Sequence, residues 1–521
     1  MRARPAAARA LDVAAGLLAA GILTAFLFPW ARPEDLFVAL VLVAGLRLLL
    51  RPLPVPAFAP RRVVAIGALA YALAFSFVTV TRHYTFLTHA LDLGYYVQLV
   101  WNLAGGRGPR VSLPEMHAWG DHLSPIMYAL APAFWVAPGA VTLLIFQSIA
   151  LAAGAPAVFL LARRRLGDER LAALFALLYL VNPSLHGMNV RDFHAAALAV
   201  PLLLWAFVAA EARRTLAFVG LVVLTLGTRE DAALAVIGVG IWLALGQGRW
   251  RAGAVTAASA FAVLYVDLRW IIPAFRGESY SHLARYAGLG GSLTEIVAGL
   301  VFHPLQALRR VATPGRALYV LAMLAPLGFL PLLGPGALSG ALPALAQNLL
   351  SSDPVLFHHR TQYQAFVLPF LVLAAIAGYA RLRATRPGAP ARAALALAVM
   401  ASLVLSARTV NQFAVYRWWP DAGDRAAYRV LARVPAEAAV SAQDPYVPHL
   451  ALRSRVFVFP VRIEGSDHLL LNVASYPWRN LPGVTMARSG DTVEIVTGSR
   501  GPVHRYGIVA EEGPHLLLRR R

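Results

Sequence analysis

Long apolar runs separated by short polar breaks set the pattern of this chain. A membrane-crossing helix needs roughly 20 apolar residues, about 17 at the least. Runs near that length fall at 11–28, 36–50, 62–80, 140–162, 170–185, 195–210, 215–229, 232–247, 252–272, 317–334, 336–350, 361–380 and 391–408. About 13 transmembrane helices are therefore expected, several of them borrowing flanking residues. The stretch 124–137, SPIMYALAPAFWVA, is shorter and carries two prolines, so it reads as an interfacial or re-entrant helix. The first run follows Arg2, Arg4 and Arg9 without a clear small-residue cleavage site and reads as an uncleaved first span.

After residue 408 the period changes. Segments 438–444, 455–460, 468–473, 492–497, 506–510 and 515–520 read as strands, and 421–433 reads as a helix. The division expected is a transmembrane domain over 1–408, with outer loops 81–139 and 273–316, and a small α/β or α+β domain over 409–521.

Composition agrees with a mainly α, polytopic membrane protein. The chain is 59% hydrophobic and only 14% charged, against about 25% charged in soluble domains. The formal charge of +21 would suit a nucleic-acid partner. Its arginines, however, lie in short clusters between apolar runs, where they anchor and orient spans, so no nucleic acid is expected. Arg2/Arg4/Arg9, Arg47/Arg51/Arg61/Arg62, Arg163/Arg164/Arg165, Arg213/Arg214, Arg249/Arg251 and Arg381/Arg383/Arg386/Arg392 all fall inside if the N-terminus is cytoplasmic and 124–137 does not cross. The expected setting is the plasma (inner) membrane. Loops 81–139, 186–194, 229–231, 273–316, 351–360 and everything after 409 then lie outside. With no cysteine, thiolate chemistry and disulfides are excluded.

The first outside loop gathers His83, His89, His117, His122, Asp92 and Asp121. Such groups between apolar spans are costly unless they line a wet cavity. Leu91, Tyr95, Leu99 and Asn102 recur at helical spacing, which predicts a helix over 90–103 lying on the membrane surface. Asp92, near its start, reads either as a cap favoured by the helix dipole or as a general base for an attacking hydroxyl. The GGRG turn that follows lets Arg107 approach a phosphate. Asp121 and His122 read as a hydrogen-bonded pair or, with His117, as a divalent-cation site.

Further along, Arg191, Asp192 and His194 stand at the mouth of a span, as do Arg229, Glu230 and Asp231. Both sets read as structural ion pairs or as substrate-binding groups, Arg229 toward a phosphate. His358, His359 and Arg360 read as an anion clamp or as interfacial anchors, and Tyr363 follows them among the candidate substrate contacts. No P-loop, GxSxG, HExxH or CxxC is present.

The motifs LDLGYYVQLVWNLAGGRG, DHLSPIMYALAPAFWV, RDFHAAALAVPLLL, TREDAAL and VSAQDPYVPHL…RVFVFP, in that order over roughly residues 60–521, resemble a family of predicted polytopic prokaryotic membrane proteins of unknown function. That family is distantly similar to the GT-C superfamily of integral-membrane glycosyltransferases. The resemblance implies transfer of a sugar from a polyprenyl-phosphate donor on the non-cytoplasmic face, with Asp92 as the loop acid and His122-Leu123-Ser124-Pro125 leading into a juxtamembrane helix. Asp92 has no acidic neighbour where many of those enzymes carry paired acids. A lipid or solute transporter or flippase, and a non-catalytic envelope-assembly scaffold, are the alternative expectations.

Overall fold

The computed structural model describes residues 3–50, 58–474, 483–498 and 501–521; Arg2, Arg51 and the side chain of Arg4 lie outside them. Among the described residues, seven helices are long and apolar enough to cross a membrane: Ala6–Leu27, Pro60–Tyr84, Ala140–Leu166, Glu169–Val190, Trp250–Arg276, Leu368–Thr385 and Ala389–Phe413. Shorter apolar helices include Pro125–Val136, Ala195–Glu211, Thr215–Leu226, Ala232–Gly246 and Pro314–Leu327. Several expected spans are thus shorter than hydropathy suggested. The runs 317–334 and 336–350 are cut into short turns by Pro326, Gly328, Pro331, Gly334 and Pro335, residues that end helices without lowering hydropathy. Segment 124–137 forms the expected short helix, led in by Pro125.

The loops sort onto two faces. On one, Arg61 and Arg163 reach Glu169 at 2.7 and 3.3 Å, Arg165 reaches Glu211 at 2.5 Å, and Arg383 donates to the Leu166 carbonyl at 3.3 Å. On the other, the His89 amide donates to Asp192 at 2.8 Å, Arg276 to the Gly120 carbonyl at 3.2 Å and Arg360 to Thr409 at 2.9 Å.

The helical turns 90–104 depart from expectation. They run as Ala90–Gly94 and Tyr95–Ala104, and Leu93, Val97, Leu99 and Val100 are at most 1% exposed. The segment does not lie on a surface, because residues 111–144, Phe193 and Leu198 pack around it and the C-terminal domain covers a further side. Gln98 donates to the Arg453 carbonyl at 2.8 Å, and the Ser112 hydroxyl donates to the Val456 carbonyl at 2.6 Å.

Two short strands, β1 (Arg110–Ser112) and β2 (Glu115–His117), form a hairpin in the first loop. The C-terminal sheet has seven strands: β3 (Val440–Ala442), β4 (Val456–Val458), β5 (His468–Asn472), β6 (Val484–Ser489), β7 (Thr492–Thr497), β8 (Val503–Glu512) and β9 (His515–Arg520). Their order is β4-β3-β5-β9-β8-β7-β6, parallel around β3 and antiparallel elsewhere. Strand β6, with its exposed polar positions, is an addition to the strands read from the sequence. Helix Ala422–Leu431 begins with a capping box of Asp421 and Asp424.

Candidate functional site

Three groups of polar side chains occupy the histidine-bearing face. The first surrounds a cavity of about 210 Å³. Its walls include Leu264, Leu268, Ile296, Val297, Leu300 and Leu350, and its polar end is formed by His122, Glu230, Tyr280, His282, Arg285 and Gln347. The turn 227–231, between helices Thr215–Leu226 and Ala232–Ile241, carries Arg229, Glu230 and Asp231 to this end. The Ile126 amide, donating to the Gly227 carbonyl at 2.9 Å, ties the turn to the first loop.

Glu230 is fully engaged. Its carboxylate accepts from His122 Nδ1 at 2.8 Å, from the Leu123 amide at 3.0 Å and from the Tyr280 hydroxyl at 2.5 Å. Arg229 forks onto Asp231 at 2.6 and 2.5 Å between the rings of Tyr363 and Phe366, and Asp231 also accepts from Gln347 at 2.8 Å. Arg285 also reaches the cavity's end, where it donates to the Tyr363 hydroxyl at 3.1 Å and pairs with Asp353 at 3.3 Å.

Asp121, His122 and His282 each offer one ligand atom, all within 4.8 Å of one another. The two rings stack in parallel at 4.6 Å, and His282 Nε2 lies 3.2 Å from Asp121 Oδ1. Glu230 holds Nδ1–H of His122, as carboxylates behind a metal site orient its imidazoles, leaving Nε2 to face Asp121 and His282. Two imidazoles and one carboxylate suit a divalent transition metal, so these residues fit a cation. His117, the sequence-based third ligand, stands apart: its ring stacks on Phe275 at 3.9 Å and accepts from the Trp119 amide.

The second group centres on Asp92. Its side chain is 36% exposed, and His194 Nε2 stands 3.1 Å from Oδ1, too oblique for a formed hydrogen bond. Burial raises the Asp92 carboxyl, but His194, with His89 and Arg191, outweighs it and holds the carboxyl below its ordinary range. The capping role falls to other residues. Asp192 accepts from the His89 amide at 2.8 Å, and Asp444 takes the Ala90 amide at 2.8 Å and the His89 ring at 2.6 Å. Asp92 is therefore free of the helix start it sits on. Tyr96, one turn on, joins the two groups: burial raises its phenol, which also feels Arg229, Asp121, Glu230 and Asp92.

The third group is Arg191, His358, His359 and Arg360, none of which lines the cavity. Arg107 is also placed differently from its phosphate-contact reading. It lies over Trp101 at 3.6 Å and donates to Asn102 and to the Trp101 carbonyl, closing the end of helix Tyr95–Ala104. Sequence reasoning missed Tyr280, His282, Arg285, Gln347 and Asp444. The polar cluster SYSHLARY inside an outer loop was the available signal for the first three.

The fold is similar to that of ArnT, a GT-C glycosyltransferase, from Cupriavidus metallidurans bound to undecaprenyl phosphate, with a TM-score of 0.50 at 14% identity, over 87% of this chain and 97% of that one. The same protein in the apo state gives a TM-score of 0.48 at 14% identity, with the same coverage. The GT-C-like architecture expected from the motifs is thus borne out as a fold. No curated protein sequence matches the chain. The profile described as "Predicted membrane protein (DUF2079)" matches residues 82–485, and the chain belongs to that family.

Proposed function

We propose that this protein transfers a sugar from a polyprenyl-phosphate donor to an acceptor hydroxyl on the non-cytoplasmic face of the plasma membrane, with the N-terminus cytoplasmic and residues 409–521 outside as a separate domain. The observation that carries this reading is the cavity: a wall of leucines and isoleucine that ends at Arg285, His282, Tyr280 and Gln347. An amphiphile with a long apolar chain and an anionic head matches both parts. Helix Pro33–Leu50 and the short apolar helices Ala195–Glu211, Thr215–Leu226, Ala232–Gly246 and Pro314–Leu327 are the further crossings proposed beside the seven long ones.

Asp92 is the proposed base. It takes the acceptor hydroxyl's proton while that oxygen bonds to the anomeric carbon. The bond from that carbon to the donor phosphate oxygen breaks, and polyprenyl phosphate leaves with the electron pair. The Asp92 carboxylate, held ionised beside His194, is free to accept the proton as the hydroxyl oxygen bonds to carbon and becomes acidic. Both nitrogens of buried His194 lack a hydrogen-bond partner among the described residues, which is consistent with a site completed by substrate. Arg285 and a cation on Asp121, His122 and His282 would neutralise the departing phosphate. Arg229, Glu230 and Asp231 position that end of the cavity, and Tyr363 orients Arg285.

Native mass spectrometry of the full chain with added polyprenyl phosphate tests the cavity. One lipid should bind, about tenfold more weakly in Arg285→Gln, because a charge-assisted contact of roughly 1.5–3 kcal/mol is removed. Ile296→Trp, which fills the apolar wall, should exclude the lipid. Equal binding by the parent and both variants would place it elsewhere.

A further inference from the structure

Three segments meet beside the Asp92 group. Helix Pro183–Val190 ends at Arg191, helix Ala389–Val410 carries Arg408 in its last turn, and loop 357–361 brings His358, His359 and Arg360. Arg360 fastens them. Its guanidinium donates to Thr409 Oγ1 at 2.9 Å and to the Pro183 carbonyl at 3.4 Å. A Cβ on Gly187 would fall 2.5 Å from Arg360 Cα, so the loop rests directly on that helix.

The result is a basic cluster without an acid. Arg360 is 9% exposed, and its side-chain partners are a hydroxyl and a carbonyl. No salt bridge joins Arg191, His358, His359, Arg360 or Arg408 to a carboxylate among the described residues. These groups oppose one another: burial, then Arg408, lowers Arg360 to about 10, and burial, then His358, Arg360 and Arg408, lowers His359 to about 4. Helix C-termini favour arginine, which accounts for part of Arg191 and Arg408. That leaves Arg360, a buried charge whose desolvation is offset, among the described residues, by a neutral hydroxyl and a carbonyl but by no carboxylate. An oxyanion would offset it, and guanidinium groups suit one geometrically.

Arg191 also lies close enough to help hold the Asp92 carboxyl down, while Arg285, the cation at the donor cavity, belongs to a different part of the face. We infer that Arg191, His358, Arg360 and Arg408 form a second anion site, which holds a phosphate or similar oxyanion of the acceptor beside Asp92. Its assignment to the acceptor rests on the transfer reading above. The binding itself does not.

The test uses the full chain in phosphatidylcholine nanodiscs, with the thermal midpoint followed at constant ionic strength. One arm adds inorganic pyrophosphate, and a second replaces part of the lipid by phosphatidic acid, separating a soluble phosphate from a lipid headgroup. Measured on an Arg285→Gln background, which weakens anion binding at the donor cavity, a saturable rise is expected in at least one arm, with half-saturation about tenfold weaker when Arg191→Gln/Arg408→Gln is added. Both substituted arginines are exposed, so the variant keeps its fold; a merely structural role would lower its baseline midpoint and leave the ligand-induced rise intact. No saturable rise in either arm, or a rise that the double variant keeps, overturns the inference. Failure to bind polyprenyl phosphate leaves this response in place, so the two readings fail separately.

Discussion

Asp192 takes a left-handed backbone, φ +76°, and its side chain is 1% exposed against the His89 amide. Burial pushes its carboxyl up to about 6, against the pull of His89 and Arg82 and with Asp92 adding to the rise. The folded state therefore binds this proton more tightly than the unfolded chain, whose carboxyl titrates near 3.9. The stability it contributes is complete below about pH 4 and is lost as pH rises toward 6. Asp192→Asn keeps an acceptor for His89 and removes the titration. It should be more stable than the parent at pH 7.5, by roughly 3 kcal/mol, with a higher thermal midpoint, and the two should converge below about pH 4; a constant offset between about pH 3.5 and 7.5 would contradict the assignment. At the cation site, His282→Ala should strip bound divalent metal from purified protein, read by elemental analysis, while His117→Ala should leave the content unchanged. Equal metal content in all three proteins would mean that Asp121, His122 and His282 form only a hydrogen-bonded network.

Elements were legible where apolarity and length coincide. The runs at 62–80, 140–162, 170–185, 252–272 and 391–408 all became long helices. Between 317 and 350 they did not, since hydropathy registers apolar side chains and not the prolines and glycines that break a helix. Helix Ala232–Ile241 shows what such breaks permit: a Cβ on Gly238 would stand 1.9 Å from the Gly340 carbonyl oxygen, so the two backbones touch there. Close approach through small residues is how membrane helices gain packing. Gly238→Ala should cost roughly 1–3 kcal/mol and lower the thermal midpoint in detergent. Gly16→Ala, with nothing within 4 Å, should not. Equal midpoints would mean that the helices sit further apart.

Across the whole molecule, the first loop announced itself because its acids and histidines interrupt apolar sequence. Their partners did not. His282 meets Asp121 across 161 positions and Asp444 meets His89 across 355, separations that no local pattern encodes. The 90–104 helix is buried by residues 111–144 and 193–198 together with a side contributed from the far end of the chain, a packing that its own period does not encode. The proposed orientation is testable because the protein has no cysteine. In intact cells a membrane-impermeant maleimide should label Ser489→Cys and should label Arg386→Cys only after lysis; the reverse pattern would invert the topology.

Sugar transfer from a polyprenyl-phosphate donor is proposed to depend on Asp92. Its most direct test is release of polyprenyl phosphate from radiolabelled donors by the full chain reconstituted with extracted envelope acceptors, set beside Asp92→Asn. Release by the parent is expected, with a loss of at least about 100-fold in the variant and polyprenyl phosphate still bound. Release by Asp92→Asn at the parent's rate would contradict it.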